Sequence, residues 1–248
     1  MNLARVRLLD ELCARAWTPL EEEESDGWIL RASGGFSLRG NSVWPREAHG
    51  AKSLADRIAR AEDFYFAHGL PPRFQISPAS EPPGLERELQ RHGYVVHTTT
   101  DVMTASGGVT EPQSQVELCE QSTDLWRSVM LDSSTDLDDA KGRLAIVDGM
   151  RLHRRHAIIC IEGAAAAIGL GTVDRGWLGV FAMRTLPQYR RRGLARSIVA
   201  ALRDWAASEG AREAYLQVES DNAPAIALYR SLGFVREYSY RYSSRAGG

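Results

Sequence analysis

The sequence predicts a mixed α/β protein, with an α+β mixed sheet, built from two related halves. Apolar residues alternate along several short segments up to Thr185, then recur every three to four positions from Leu194 to Trp205. A strand period therefore gives way to a helix period at one place in the chain. A glycine-ended helical stretch, a short apolar strand, a second short helix and another glycine follow in order twice, from Gly69 to Gly93 and from Gly210 to Gly233. With 44% hydrophobic and 25% charged residues among 248, the chain can bury a sizeable core.

The elements follow in order. The N-terminal MNLARVRLLDELC has neither an unbroken apolar run nor a small-residue cleavage site, so no signal peptide is expected. The acidic run Glu21–Glu24 reads as a solvated loop, with a wall for a cationic substrate as the alternative. Trp28–Ala32, a Gly34-Gly35 turn and Phe36–Trp44 read as a hairpin. Leu54, Ile58, Ala61 and Tyr65 form a helical stripe that stops before Gly69. Arg73–Ile76 is a strand, Leu85–Arg91 a helix, and a final strand follows His92-Gly93-Tyr94. Gly, Pro, Ser and Thr crowd into Thr104–Ser114, the expected linker between residues 1–108 and 115–248.

The second half opens with a strand at Val116–Glu120 and helices at Asp124–Leu131 and Leu137–Met150. Strands are expected at His156–Ile161, Ala165–Val173 and Trp177–Thr185, punctuated by Gly163 and the Asp174-Arg175-Gly176 turn. Leu194, Ile198, Leu202 and Trp205 share one face of a helix ending near Gly210. Tyr215–Val218 is a strand, and Pro224–Leu232 a helix that Asp221 or Asn222 can cap. Phe234–Tyr242 closes the chain as a strand.

The sharpest chemical feature is Thr185-Leu-Pro-Gln-Tyr-Arg190-Arg191-Arg192-Gly193-Leu194-Ala195, between a strand and an amphipathic helix. Backbone N–H groups at a helix N-terminus cradle phosphate oxygens, aided by the helix dipole. Gly193 allows close backbone approach, and the arginines add charge-assisted hydrogen bonds. Read alone, the string fits a solvated basic run equally well.

The order Arg190-x-x-Gly193-x-Ala195, after a strand ending in Met183-Arg184-Thr185, resembles the pyrophosphate motif of the GNAT superfamily. The block from Leu216 through Asn222 and Tyr229 to Gly233-Phe234 is similar to the strand-helix-strand that completes the GNAT acyl-CoA site. The resemblance covers roughly Gln115–Tyr242. It implies a GNAT fold, acetyl-CoA as co-substrate and transfer to a primary amine, borne by a small molecule or a protein. Tandem GNAT enzymes such as mycothiol synthase are similar in layout.

The resemblance also implies roles. Met183, Arg184 and Thr185 would pair with the pantetheine arm and polarise the thioester carbonyl. Arg190, Arg191, Arg192, Gly193, Leu194 and Ala195 would hold the pyrophosphate. Asn222 would touch the cofactor near its pantetheine end, or simply cap its helix. Tyr229, protonated at neutral pH, would protonate the departing thiolate, with core packing as the alternative. Gln217 stands where some members carry a glutamate base, and an amide cannot take a proton. Glu219, on the same strand face, is the candidate base, directly or through water, against a plain solvated carboxylate or a base supplied by the first half. A non-catalytic acyl-CoA-binding regulator is the rival reading.

In the first half, Val43–Ala51 occupies the phosphate-loop position without an arginine cluster, and Glu88 and Leu89 stand where Tyr229 would be. That half reads as a degenerate GNAT-like repeat. A formal net charge of -2 gives no basic field for nucleic acid or membrane surfaces. Cys13, Cys119 and Cys160 are scattered, which fits reduced thiols in a cytoplasm. No metal is expected, since His153 and His156 lie among arginines.

Overall fold

A computed structural model describes residues 1–47, 52–107 and 115–245. Helix α1 (Leu3–Ala16) begins at Asn2, whose side chain accepts from the Ala4 and Arg5 N–H groups. Val6, Leu9, Leu12, Cys13 and Ala16 recur at helical spacing and are all buried.

Strands β1 (Glu21–Ser25), β2 (Trp28–Ala32) and β3 (Trp44–Pro45) form a small antiparallel sheet. Two expectations fail here. The acidic run is a strand, not a loop: Glu21–Ser25 pairs along β2 through a two-residue turn at Asp26-Gly27. Both turn residues have positive φ, 49° and 80°, the geometry that matches the twist of a hairpin. The charged side chains are tolerated because β1 lies at the sheet edge, facing water. Conversely, Phe36–Trp44 is not one strand. A 3-10 turn at Leu38–Gly40 interrupts it. Buried Asn41 fastens this turn, its Oδ1 accepting from Ser33 and Gly35 N–H and its Nδ2 donating to the Phe36 and Ser37 carbonyls.

Next come α2 (Leu54–Ala67), β4 (Arg73–Ile76), α3 (Leu85–Arg91) and β5 (Tyr94–Ser106). Strand β5 runs into the expected linker, so Thr104–Ser106 belong to the sheet. Residues 108–114, including the expected domain boundary, lie outside the described residues, as do residues 48–51 of the first half's loop. Then follow β6 (Glu117–Cys119), α4 (Asp124–Asp132), α5 (Leu137–Gly149), β7 (His153–Ile161), β8 (Ala164–Asp174) and β9 (Trp177–Thr185). Helix α6 (Leu194–Ser208), β10 (Glu213–Glu219), α7 (Ala223–Ser231) and β11 (Val235–Arg245) complete the chain. The expected elements of the second half all appear, most within a residue or two at their ends.

Eight strands form the main sheet in the order β4-β11-β5-β10-β9-β8-β7-β6. The first half's last strand, β5, sits between β10 and β11. The second half's last strand, β11, sits between β4 and β5. The final strand of each stretch thus lies between two strands of the other in one sheet. A parallel bridge joins Val43 to Phe74, as β9 runs parallel to β10.

The sheet separates two cores. On one side α1, α4 and α5 pack Leu9, Leu12, Trp126, Val129 and Leu144 against Ile168, Phe181 and Tyr215. On the other, α6 and α7 pack Ile198, Leu202 and Tyr229 against Leu178, Val180 and Leu216. Alternate residues of β9 and β10 face opposite sides, as the strand period requires. Under α2 and α3 lies a third cluster around Trp28, Ile58, Tyr65, Phe74 and Tyr94. No helix among the described residues is long and apolar enough to cross a membrane.

Candidate active site

Parallel pairing between β9 and β10 runs from Glu213 opposite Trp177 to Leu216 opposite Val180 and goes no further. Beyond that pair the strands diverge. A bulge drives the divergence: Ile168 and Leu170 on β8 face Arg184 and Phe181, leaving an extra residue on β9. Ala182 takes φ 49° at this bulge. The backbone of residues 181–185 is thereby turned away from β10, leaving a wedge between the strands.

The wedge opens into a cavity of about 430 Å³. Met183 and Arg184 line it from β9, Gln217 and Glu219 from β10, Asn222 and Tyr229 from the α7 side. Six residues singled out in the sequence are therefore brought together. Thr185 is not among the lining residues; its carbonyl instead accepts from Arg190 Nε at 3.3 Å. Asn222 Oδ1 accepts from Ala225 N–H at 3.2 Å, so it caps α7 while still lining the cavity.

Tyr229 is 8% exposed, with its ring edge-on to Phe234 at 6.0 Å. Burial pushes its hydroxyl up to about 12, with the nearby Arg184 guanidinium pulling the other way. It is both a core residue and a cavity residue, and at neutral pH it carries its proton. Arg184 donates from Nη1 to the Met183 carbonyl at 3.0 Å, and burial lowers its own pKa. Gln217, an amide, cannot act as a base; its Oε1 accepts from the Tyr240 hydroxyl at 3.0 Å and its Nε2 is buried without a hydrogen-bond partner among the described residues. Among the described residues Glu219 is the only carboxylate lining the cavity.

The arginine loop lies just outside the cavity. A 3-10 turn at Pro187–Tyr189 follows β9, Arg191 takes φ 63°, and Gly193 is the N-cap of α6 at φ 77°. At that φ glycine is the natural residue, and having no side chain it leaves the first N–H groups of α6 without a side-chain cap. Arg190, Arg191 and Arg192 are exposed and have no ion-pair partner among the described residues. Arg192 rests over the Tyr189 ring at 5.5 Å. An uncapped helix N-terminus ringed by unpaired cations fits a pyrophosphate.

Sequence reasoning missed the opposite wall. Trp17, Arg39, Tyr240 and Tyr242 also line the cavity, from the α1 face of the sheet. Trp17 and Arg39 come from the first half and lack any motif that would have marked them. His153 pairs with Glu209 at 3.2 Å, and His156 is buried at 1% exposure.

Residues 3–243 match the model of a family described as probable histone acetyltransferase Rv0428c C-terminal. The chain belongs to this family. It is a GNAT N-acetyltransferase, and relatives along its whole length agree. The uncharacterized N-acetyltransferase YobR of Bacillus subtilis (strain 168) is 28% identical over 247 residues, covering 95% of this chain and 98% of the relative. The probable histone acetyltransferase Rv0428c of Mycobacterium tuberculosis (strain ATCC 25618 / H37Rv) is 29% identical, covering 98% of this chain and 74% of that one. Among solved structures, a GCN5-related N-acetyltransferase from Kribbella flavida superposes with a TM-score of 0.73 at 15% identity, over 99% of this chain and 96% of the other. The fold is therefore GNAT, and the wedge between β9 and β10 lies within it.

Proposed function

We propose that this GNAT enzyme transfers an acetyl group from acetyl-CoA to a primary amine by direct attack. The observation that carries the reading is the wedge between β9 and β10 opening beside the uncapped, arginine-ringed start of α6. Bound there, acetyl-CoA supplies an activated acetyl group. Arg190, Arg191, Arg192 and the N–H groups of Gly193, Leu194 and Ala195 hold its pyrophosphate. Met183, Arg184 and Thr185 offer backbone groups to its pantetheine arm, and their N–H groups polarise the carbonyl as negative charge builds there.

Glu219 takes the amine's proton through water, because Gln217 cannot. Tyr229 directs its hydroxyl to the departing sulfur. The same reading makes residues 115–248 the acyl-CoA-binding half and residues 1–108 a degenerate GNAT-like half. Release of free CoA thiol when the protein, acetyl-CoA and a panel of amines are combined tests the activity. Tight acetyl-CoA binding with no thiol release from any amine would mark a regulator, not an enzyme.

A further inference from the structure

The wall opposite the acyl-CoA wedge carries a half-buried cation, Arg39, with no acid among the described residues to balance it. The Arg39 guanidinium carbon lies 5.5 Å from the Trp17 ring and 5.9 Å from the Phe181 ring. Those rings are 6.1 Å apart and tilted 30° to each other. Among the described residues no ion pair to Arg39 is formed. Stacking on two aromatic faces orients a guanidinium but neutralises none of its charge.

Three buried donors in this wall also lack acceptors. Arg39 Nε, Trp17 Nε1 and Gln217 Nε2 are each enclosed without a hydrogen-bond partner among the described residues. Buried polar groups in folded proteins are seldom left so, and all three residues line the same cavity. The Tyr240 hydroxyl, which donates to Gln217 Oε1, also hydrogen-bonds the Arg39 side chain, but it is neutral and leaves the charge unbalanced and Arg39 Nε without a partner.

The charge of the whole cavity points the same way. Arg39, Arg143 and Arg184 line it against one carboxylate, Glu219. Arg143 is answered by Asp139 at 2.6 Å, whereas among the described residues no acid answers Arg39. Position separates Arg39 from the acyl-CoA side. Trp17, Phe181 and Tyr240 belong to the core beneath α1, whereas Val180, Val218 and Tyr229 belong to the core beneath α6 and α7. Arg39 therefore faces the space from which an acceptor reaches the wedge.

We infer that Arg39 is a specificity-determining residue that binds a carboxylate on the acceptor, so that the acceptor is a small amino acid. This rests on the acetyl-transfer reading above. A planar guanidinium presents paired donors that match a carboxylate, and Trp17 Nε1 and Gln217 Nε2 are placed to add to them. The carboxylate fixes the acceptor in place while its amino group reaches towards the wedge. A lysine within a peptide chain offers no free carboxylate near its amine.

The test compares α- and ω-amino acids with their own carboxamides, and with a lysine-bearing peptide, by thiol release from acetyl-CoA. At least one acid should show a kcat/KM ten- to a hundredfold above its carboxamide. In Arg39→Gln that ratio should fall towards one, while acetyl-CoA affinity by calorimetry stays within about twofold of the unsubstituted protein. Arg39→Lys should keep part of the preference, and thermal melting controls for folding. Acids no better than carboxamides, a preference that survives Arg39→Gln, or a peptide preferred over every acid overturns the inference. If no amine is acetylated, the amino acids are titrated into the acetyl-CoA complex. Binding that needs the carboxylate and Arg39 then upholds the subsite while removing the transferase reading; absence of such binding removes the subsite.

Discussion

Tyr229→Phe is the most informative perturbation of the reaction chemistry, because it removes one hydroxyl and leaves the ring against Phe234. Its expected effect can be worked from the burial of that hydroxyl. Burial raises the Tyr229 pKa to about 12, whereas an ordinary thiol sits near 8.5. Complete transfer of the proton to sulfur is therefore uphill by roughly 3.5 units, or about 5 kcal/mol at 1.36 kcal/mol per unit. The hydroxyl does most of its work as a hydrogen-bond donor to the sulfur while negative charge develops there. A hydrogen bond to a charged group contributes about 1.5–3 kcal/mol, which corresponds to a roughly 10- to 150-fold loss of turnover. That lies mostly below what general acids supply, about 10²–10⁴-fold, and reaches only the bottom of that range. The assay is steady-state thiol release beside a calorimetric acetyl-CoA titration and a melting curve. Lost turnover with retained affinity supports the assignment. Turnover equal to the unsubstituted enzyme would make Tyr229 a packing residue, and parallel loss of affinity and turnover would move its hydroxyl into cofactor recognition.

Gly193→Asp places a side chain and a negative charge at a φ of 77° beside the arginine loop, so acetyl-CoA affinity should drop at least tenfold; calorimetry on the folded variant showing no change would remove the cradle. Native mass spectrometry should count one acetyl-CoA per chain, and two would give the first half a site of its own. Asp10, 5% exposed and hydrogen-bonded by the Ser77 and Tyr238 hydroxyls, is raised from 3.8 to about 6 by burial. A raised folded-state pKa gives stability that is present below pH 3.8 and lost as pH rises through about 6, some 3 kcal/mol in all. Asp10→Asn should therefore gain on the unsubstituted protein in melts between pH 4 and pH 7, and a constant difference across that range would refute the burial argument.

The second half was legible because its elements announce themselves locally. The α6 stripe from Leu194 to Trp205 is a helix period, and Asn222 before Ala223-Pro224 is a helix start, seen as a cap onto Ala225. The first half was less legible where local signals mislead. Glu21–Ser25 looks too charged for a strand until its edge position is known, although Asp26-Gly27 before Trp28 was a hairpin signal in plain view. Phe36–Trp44 has strand composition, but Asn41 satisfies the backbone of a turn there more fully than pairing would.

What no local signal could supply is the exchange of final strands. Val102 of β5 faces Gln217 of β10 on one side and Tyr238 of β11 on the other, partners more than a hundred residues away. Because of that exchange, Tyr240 and Tyr242 of β11 and Thr98 and Thr100 of β5 meet at one cavity with Gln217. Helix α1 is fastened to the same place, its Leu12 carbonyl accepting from the Tyr215 hydroxyl at 3.0 Å, and the chain that follows brings Trp17 and Arg39 to the cavity wall. On the two-half reading, a first half without a phosphate loop is still indispensable. Its β5 completes the sheet on which the wedge is built, and its Trp17 and Arg39 form the wall on which the proposed carboxylate subsite rests.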